Sequence, residues 1–292
     1  MRVLLTGGTG MLGTALVKSL ANDHEVTATY LQNKVGMDRV TFVRLDLADH
    51  DQIRKVVEQA KPDLVIHAAA ATDMEWCEAH PEEAIRLNSV ATEVVAKEAA
   101  GAGARLVYIS TDYVFDGKLG GYTEDDDTNP LNVYGVSKLR GEAPVLENGG
   151  AVIRTNLFGA SKKQSFVASI ISNARLGSNV IAAADQFSNP IFVDQAADCI
   201  VSLGAACRTG IFNVASVGKA SRYEFALTVC DVFGLDRDTI KRAKLGELVK
   251  MFGWKAARPV DTSLDVTKVK KLLVIPDLRS SLEEMKRRLG AA

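Results

Sequence analysis

The chain has 292 residues, 47% of them hydrophobic and 24% charged, with 35 Lys and Arg against 36 Asp and Glu for a net charge of −1. Such a chain can bury a large core, and its near-neutral balance supplies no broad basic field for nucleic acid or anionic lipid. No stretch of about 18 apolar residues suits a membrane span and MRVLLTGGTG is too short for a signal peptide, so we expect a cytoplasmic protein with a small-molecule partner, no nucleic acid and no membrane.

RVLLT is a short apolar run ending in a glycine cluster, and MLGTALVKSLA after it carries apolar residues at helical spacing, so the chain opens strand, turn, helix. EVTATY is a second strand and VTFVRLDL a third. DHDQIRKVVEQAK follows as an amphipathic helix with Asp49 near its start, then DLVIHAAA as a fourth strand. A long helix, PEEAIRLNSVATEVVAKEAAGAG, opens at Pro81, where a missing N–H costs nothing. RLVYIST is a fifth strand, a helix begins near Asn132, and GAVIRTNLFG is a sixth strand.

This alternation implies a doubly wound parallel sheet of the Rossmann type, whose ligands bind beyond the carboxyl ends of its strands. We expect residues 1–159 to form the dinucleotide-binding domain, with strands near 191–215 returning to it, and 160–292 to be a smaller, mainly substrate-binding part. In that part we expect a helix around 164–176 and helices at 221–233 and 280–289.

Cys77, Cys199, Cys207 and Cys230 contain no CxxC pair, and His24, His50, His67 and His80 no HExxH or HxxxH spacing, so buried free thiols and structural histidines are expected. TGGTGMLG fits GxxGxxG through Gly7, Gly10 and Gly13, and GxGxxG through Gly8, Gly10 and Gly13. Glycines there permit a tight turn and let backbone N–H groups and a helix amino end approach a pyrophosphate. The second strand runs into Tyr30-Leu-Gln-Asn-Lys34 with no acid to bond the ribose, which favours NADP(H), with Asn33 and Lys34 as phosphate partners, and leaves NAD(H) open. Asp46 at the end of the third strand is a candidate for the adenine end or a plain helix cap.

Thr111 closes the fifth strand in STDYVFDG, where a nicotinamide ring would lie, and Tyr134 and Lys138 in NVYGVSK stand one helical turn apart on one face. In a ketone reduction Tyr134 would protonate the carbonyl oxygen, Thr111 would hold it, and Lys138 would lower the phenol pKa and hold the nicotinamide ribose. Gly135 inside the helix asks for a reason, such as close cofactor approach. Tyr30 and Lys34 share the same spacing, so spacing alone does not decide between the pairs.

Together TGGTGMLG, HAAAATD, ISTDYVFDG, NPLNVYGVSKLRGE, DQFSNP, GIFNVASVGKASRYEFA and ARPVDTSLD resemble the extended short-chain dehydrogenase/reductases, most closely the dTDP-4-dehydrorhamnose reductases, over nearly the whole chain. The resemblance implies NAD(P)H-dependent reduction of the 4-keto group of a dTDP-6-deoxyhexose, with Thr111, Tyr134 and Lys138 as catalytic residues. It puts Met11, Leu12, Asp46, Leu47, Ala68, Ala69 and Ala70 at the cofactor, and Thr72, Asp112, Asn156, Gln186 and Arg258 at the dTDP-sugar. A homodimer is compatible with it.

Two departures stand out: Leu157 occupies an aromatic position of the family motif RTSW, and Ala15 replaces a glutamate of metal-holding members, so no metal is expected. An NDP-sugar epimerase or dehydratase is a rival on the same scaffold, although Tyr113 after Asp112 argues against elimination. A second rival is a non-enzymatic regulatory subunit like the beta subunit of methionine adenosyltransferase.

Overall fold

In the computed structural model, residues 1–33, 36–159 and 165–290 are described. Strand β1 (Arg2–Thr6) sends Val3 and Leu5 into one core cluster and Leu4 into another. Adjacent side chains of a strand face opposite ways, so a strand apolar on both faces belongs in the middle of a covered sheet. It is followed by α1 (Met11–Leu20), β2 (Glu25–Tyr30), β3 (Val40–Arg44), α2 (His50–Ala60) and β4 (Leu64–His67). Asp49 caps α2, its side chain accepting from the Gln52 N–H.

Next come α3 (Met74–Ala79), which the sequence reading did not anticipate, α4 (Pro81–Ile85), α5 (Ala91–Gly101) and β5 (Arg105–Ile109). The long helix expected from Pro81 is interrupted by a π turn at Arg86–Val90, a device that appears often at functional sites. Helix α6 (Val133–Glu147) begins under the cap of Asn132, whose side chain accepts from the Gly135 N–H at 2.9 Å.

The sixth expected strand is shorter than its apolar run: β6 (Ala151–Thr155) stops at Asn156, and β7 (Leu157–Phe158) leaves the sheet. The break has a long-range cause, because the Asn156 carbonyl accepts from Ile191 and its amide donates to Asp112. The chain continues through α7 (Phe166–Arg175), β8 (Val180–Ala183), β9 (Phe187–Ser188), β10 (Ile191–Phe192), α8 (Val193–Ala205) and β11 (Gly210–Val214). It ends with β12 (Ala220–Ser221), α9 (Arg222–Phe233), β13 (Ile240–Ala243), α10 (Leu245–Phe252), α11 (Thr267–Lys270) and α12 (Leu278–Gly290).

The main sheet has seven strands in the order β11-β6-β5-β4-β1-β2-β3, all parallel, and this is the doubly wound arrangement the alternation implied. Strand order reverses between β1 and β4, which opens a crevice beyond their carboxyl ends. Of the strands expected near 191–215, β11 joins this sheet beside β6, whereas β10 pairs with β7 in a separate two-stranded ribbon. The later elements, β8 with β13 and β9 with β12, make two more small ribbons beside α7, α9 and α10. Among the described residues no helix is long and apolar enough to cross a membrane. All four cysteines are free; Cys77, Cys199 and Cys230 are buried, but Cys207 is exposed, because it lies in the turn after α8 rather than under the sheet.

Candidate active site

The glycine turn is shaped by the absence of side-chain atoms. Gly7 has φ +73°, and a Cβ on it would lie 2.9 Å from the Ala69 backbone at the end of β4; a Cβ on Gly8 would lie 2.7 Å from the Ala28 Cβ. On Gly13, a Cβ would strike the Gly7 carbonyl oxygen. The turn is therefore pressed against both neighbouring strands. Gly10, the cap residue of α1, offers no side-chain hydrogen bond, and the first intrahelical bond is made by Thr14 to the Gly10 carbonyl. The N–H groups of Met11, Leu12 and Gly13 precede that bond, so the helix amino end presents bare donors and positive potential. This cradle fits the pyrophosphate of a dinucleotide.

A buried network holds the turn against β4. The Ala69 N–H donates to Thr6 Oγ1 at 3.1 Å, Thr6 Oγ1 lies 2.7 Å from His67 Nδ1, and His67 Nε2 lies 3.1 Å from Thr92 Oγ1. Because the Thr92 hydroxyl donates to the Asn88 carbonyl, the imidazole proton belongs on Nε2 and Thr6 donates to Nδ1. Burial, seconded by the Lys138 charge, pushes the His67 pKa down to about 3, so the ring is neutral. His67 is thus a structural histidine that fixes Ala68, Ala69 and Ala70, all partly exposed at the crevice.

At the adenosine end, Asp46 lies just after β3, and its carboxylate accepts from the Ala48 N–H at 2.9 Å. Asp49, not Asp46, caps α2, so the plain-cap alternative for Asp46 falls away. Leu47 is partly buried, and Asn33 is exposed after β2; Lys34 lies outside the described residues. Tyr30 is the last residue of β2, opposite Arg44, and therefore lies on a strand rather than a helix.

The catalytic candidates lie at the other end. Thr111 lies two residues beyond the end of β5 rather than closing it, and is buried, its hydroxyl oxygen accepting from the Tyr113 N–H at 3.2 Å. It is a neighbour of Tyr134 on α6. Burial raises the Tyr134 pKa above the ordinary phenol value, and the Thr111 hydroxyl pulls it back only in part. Burial, and not the lowering expected from Lys138, sets the direction of this pKa. The Lys138 ammonium instead sits 4.1 Å above the Tyr108 ring centroid, and its own pKa is pushed down to about 7 by burial, with Glu142 one turn further along opposing the shift.

Gly135 also has a different reason from the one expected. A Cβ there would strike the Tyr113 carbonyl oxygen and lie 2.9 Å from Pro130, so the glycine lets α6 press on the loop after β5 rather than on a cofactor. Asn88, in the π turn, holds the site from beneath: its amide donates to the Ala71 carbonyl at 2.8 Å and to Ser137 at 3.0 Å, and accepts from the Ala71 N–H. The sequence reading missed it, because one Asn in an amphipathic helix gives no sign of being buried.

Asp112 is buried beside Thr111, accepting from Asn156 at 2.8 Å, from Thr262 at 2.5 Å and from Thr111 at 3.2 Å. Burial raises its pKa, and these three donors oppose the rise. Gln186 is buried, donating to the Pro259 carbonyl at 3.2 Å. Arg258 pairs with Glu75 at 2.7 Å under the Trp254 ring. Thr111, Asp112, Tyr134, Asn156, Gln186 and Arg258 thus belong to one neighbourhood, whereas Thr72 is exposed near the end of the β4–α3 loop. A pocket adjoins this cluster, lined by Met11, Asn156, Leu157, Phe166, Arg222 and Phe225 among others. Ala15 is buried in α1, and among the described residues no three His, Cys, Asp or Glu side chains gather as a metal site.

Known proteins give this geometry a context. Residues 1–290 match the family model described as RmlD substrate binding domain. The methionine adenosyltransferase 2 subunit beta of Xenopus tropicalis is 35% identical over 284 residues, 93% of this chain and 82% of that protein. A crystal structure of a hypothetical dTDP-4-dehydrorhamnose reductase from Sulfolobus tokodaii superposes with TM-score 0.86 at 34% identity, covering 94% of this chain and 96% of that one. The dTDP-4-dehydrorhamnose reductase of Bacillus anthracis in complex with NADP gives 0.85 at 28% identity, over 98% of this chain and 99% of that one.

Proposed function

The chain belongs to the RmlD substrate-binding-domain family, and from that membership we propose that it is an NAD(P)H-dependent sugar-nucleotide reductase acting on the 4-keto group of a dTDP-6-deoxyhexulose, dTDP-4-dehydrorhamnose going to dTDP-L-rhamnose. The observation that carries this reading is the placement of Tyr134 beside Thr111 and buried Asp112, at the carboxyl edge of a sheet whose glycine turn leaves no room for side chains. In this reading residues 1–159 hold the dinucleotide and 160–292 mainly contact substrate.

When bound, the nicotinamide supplies a hydride to the carbonyl carbon. Tyr134, a phenol protonated at neutral pH and raised further in pKa by its burial, gives its proton to the carbonyl oxygen, and Thr111 steadies that oxygen. Lys138, one turn along α6, favours the phenolate so formed while it carries its charge. The bare N–H groups of Met11, Leu12 and Gly13 hold the pyrophosphate, with Gly7 and Gly10 shaping the turn, and Asp46 faces the adenine end.

A coupled assay tests the reading: added NADPH or NADH should be consumed stoichiometrically with a dTDP-4-keto-6-deoxy sugar. The similarity to methionine adenosyltransferase 2 subunit beta motivates a second reading, a non-enzymatic regulatory subunit. No consumption of either coenzyme, together with copurification with a synthetase, would replace the first reading with the second.

A further inference from the structure

Arg222 is the first residue of α9, and no role was assigned to it from the sequence. Its backbone is fixed: its N–H donates to the Gln186 carbonyl at 2.9 Å, and the preceding Ser221 closes a capping box with Glu224. Its guanidinium lies 4.2 Å over the Phe166 ring and lines the pocket with Met11, Leu157, Phe158 and Phe225.

Among the described residues no carboxylate pairs with it. The acids that could do so are engaged elsewhere: Glu224 with Ser221 at 2.8 and 2.9 Å, Glu75 with Arg258, and Asp112 with Thr262 and Asn156. Burial lowers the Arg222 pKa, as does the Arg258 charge, against the opposing influence of Tyr113 and Asp112. Arg222 is only partly buried and keeps its proton near neutral pH, so an anion entering the pocket it lines would meet a guanidinium with no carboxylate partner among the described residues. The aromatic and apolar walls beside it suit a nucleoside better than a bare ion.

We propose that Arg222 is the anion-binding residue of this pocket and receives a phosphate of the nucleoside diphosphate carried by the substrate, with Phe166 and Phe225 as part of the wall along the nucleoside. This inference rests on the sugar-nucleotide reading. It places the diphosphate at the start of α9, in a pocket that Met11 beside the glycine turn also lines, and the sugar toward Asn156 and Asp112.

Calorimetric titration of the wild type, Arg222→Gln and Arg222→Lys with dTDP, thymidine and NADPH tests it. Loss of a charge-assisted bond to phosphate should weaken dTDP about 10- to 100-fold in Arg222→Gln. Thymidine and NADPH affinities should stay at wild-type values, which also shows that the variant is folded, and Arg222→Lys should fall between the two. Equal dTDP affinity in Arg222→Gln and wild type overturns the inference, as does a loss confined to NADPH or a wild type that binds no dTDP. Turnover is judged separately. A wild type that binds dTDP through Arg222 yet oxidises no NADPH would uphold the inference and remove the reductase reading.

Discussion

The two ends of the crevice are built in opposite ways. At the glycine turn the determining feature is what is missing: Gly7, Gly8 and Gly13 each occupy space that a Cβ would take from a neighbouring residue. At the catalytic end it is what is present, since Asp112 is held by Asn156 from 44 residues away and by Thr262 from 150. The first end should tolerate no added atom, and the second should tolerate no removed one.

Removing one atom gives the largest expected effect. Tyr134→Phe deletes only the phenolic oxygen, and loss of a positioned proton donor lowers kcat about 10²- to 10⁴-fold. Cofactor binding should be unchanged, because the glycine turn is untouched. Tyr30→Phe, at the adenosine end, should leave turnover at the wild-type rate. Equal turnover in Tyr134→Phe and wild type would remove the tyrosine from the mechanism.

Adding one atom at the other end comes next. In Gly13→Ala the new methyl meets the Gly7 carbonyl, and the turn must open away from β2 and β4. Such overpacking costs about 1–3 kcal/mol, seen as a lower denaturation midpoint, and NADPH binding should be lost with it. Gly10→Ala is the control: its methyl meets only the Gly7 carbonyl, at 3.3 Å, and should cost far less. Equal damage from both substitutions would mean that general crowding, not this contact, sets the sensitivity.

The pH profile separates the two partners on α6. Lys138 has its pKa pushed down to about 7, while burial raises that of Tyr134. If the ammonium is the active form, kcat/KM should fall as pH rises through about 7, with the lysine and not the tyrosine losing its proton. A profile flat through that region would take the lysine charge out of the reaction.

This contrast also explains which parts of the molecule were legible in the sequence. The glycine turn, the cap at Asp49 and the strand and helix order are written in neighbouring residues, where periodicity and turn chemistry act. The break at Asn156 is not, because the apolar run continues through Leu157 and Phe158; a side-chain bond to Asp112 and the pairing of β7 with β10 end the strand. Thr111, Tyr134 and Lys138 could be named from their motifs, but their pKa directions depend on burial, which no local pattern reports. Arg222 reads in sequence as a polar residue at a helix start. Only the fold, by engaging Glu224, Glu75 and Asp112 elsewhere, leaves it without a carboxylate partner among the described residues.

The smallest expected effect probes the long-range support itself. Thr262→Val keeps the shape of the side chain and deletes the hydroxyl that donates to Asp112 Oδ2. A hydrogen bond to a charged group contributes about 1.5–3 kcal/mol, and Asn156 and Thr111 still bond the carboxyl group, so stability should fall toward the lower figure. The sign with pH follows from the raised pKa of Asp112. Burial makes its ionised form unfavourable in the fold, and the Thr262 bond offsets part of that cost, so the variant's penalty is full where Asp112 is charged and shrinks as falling pH protonates it. Denaturant melts of both proteins across acid and neutral pH measure this. A penalty independent of pH would show that Thr262 acts by packing alone, and the catalytic end would then depend on shape much as the glycine turn does.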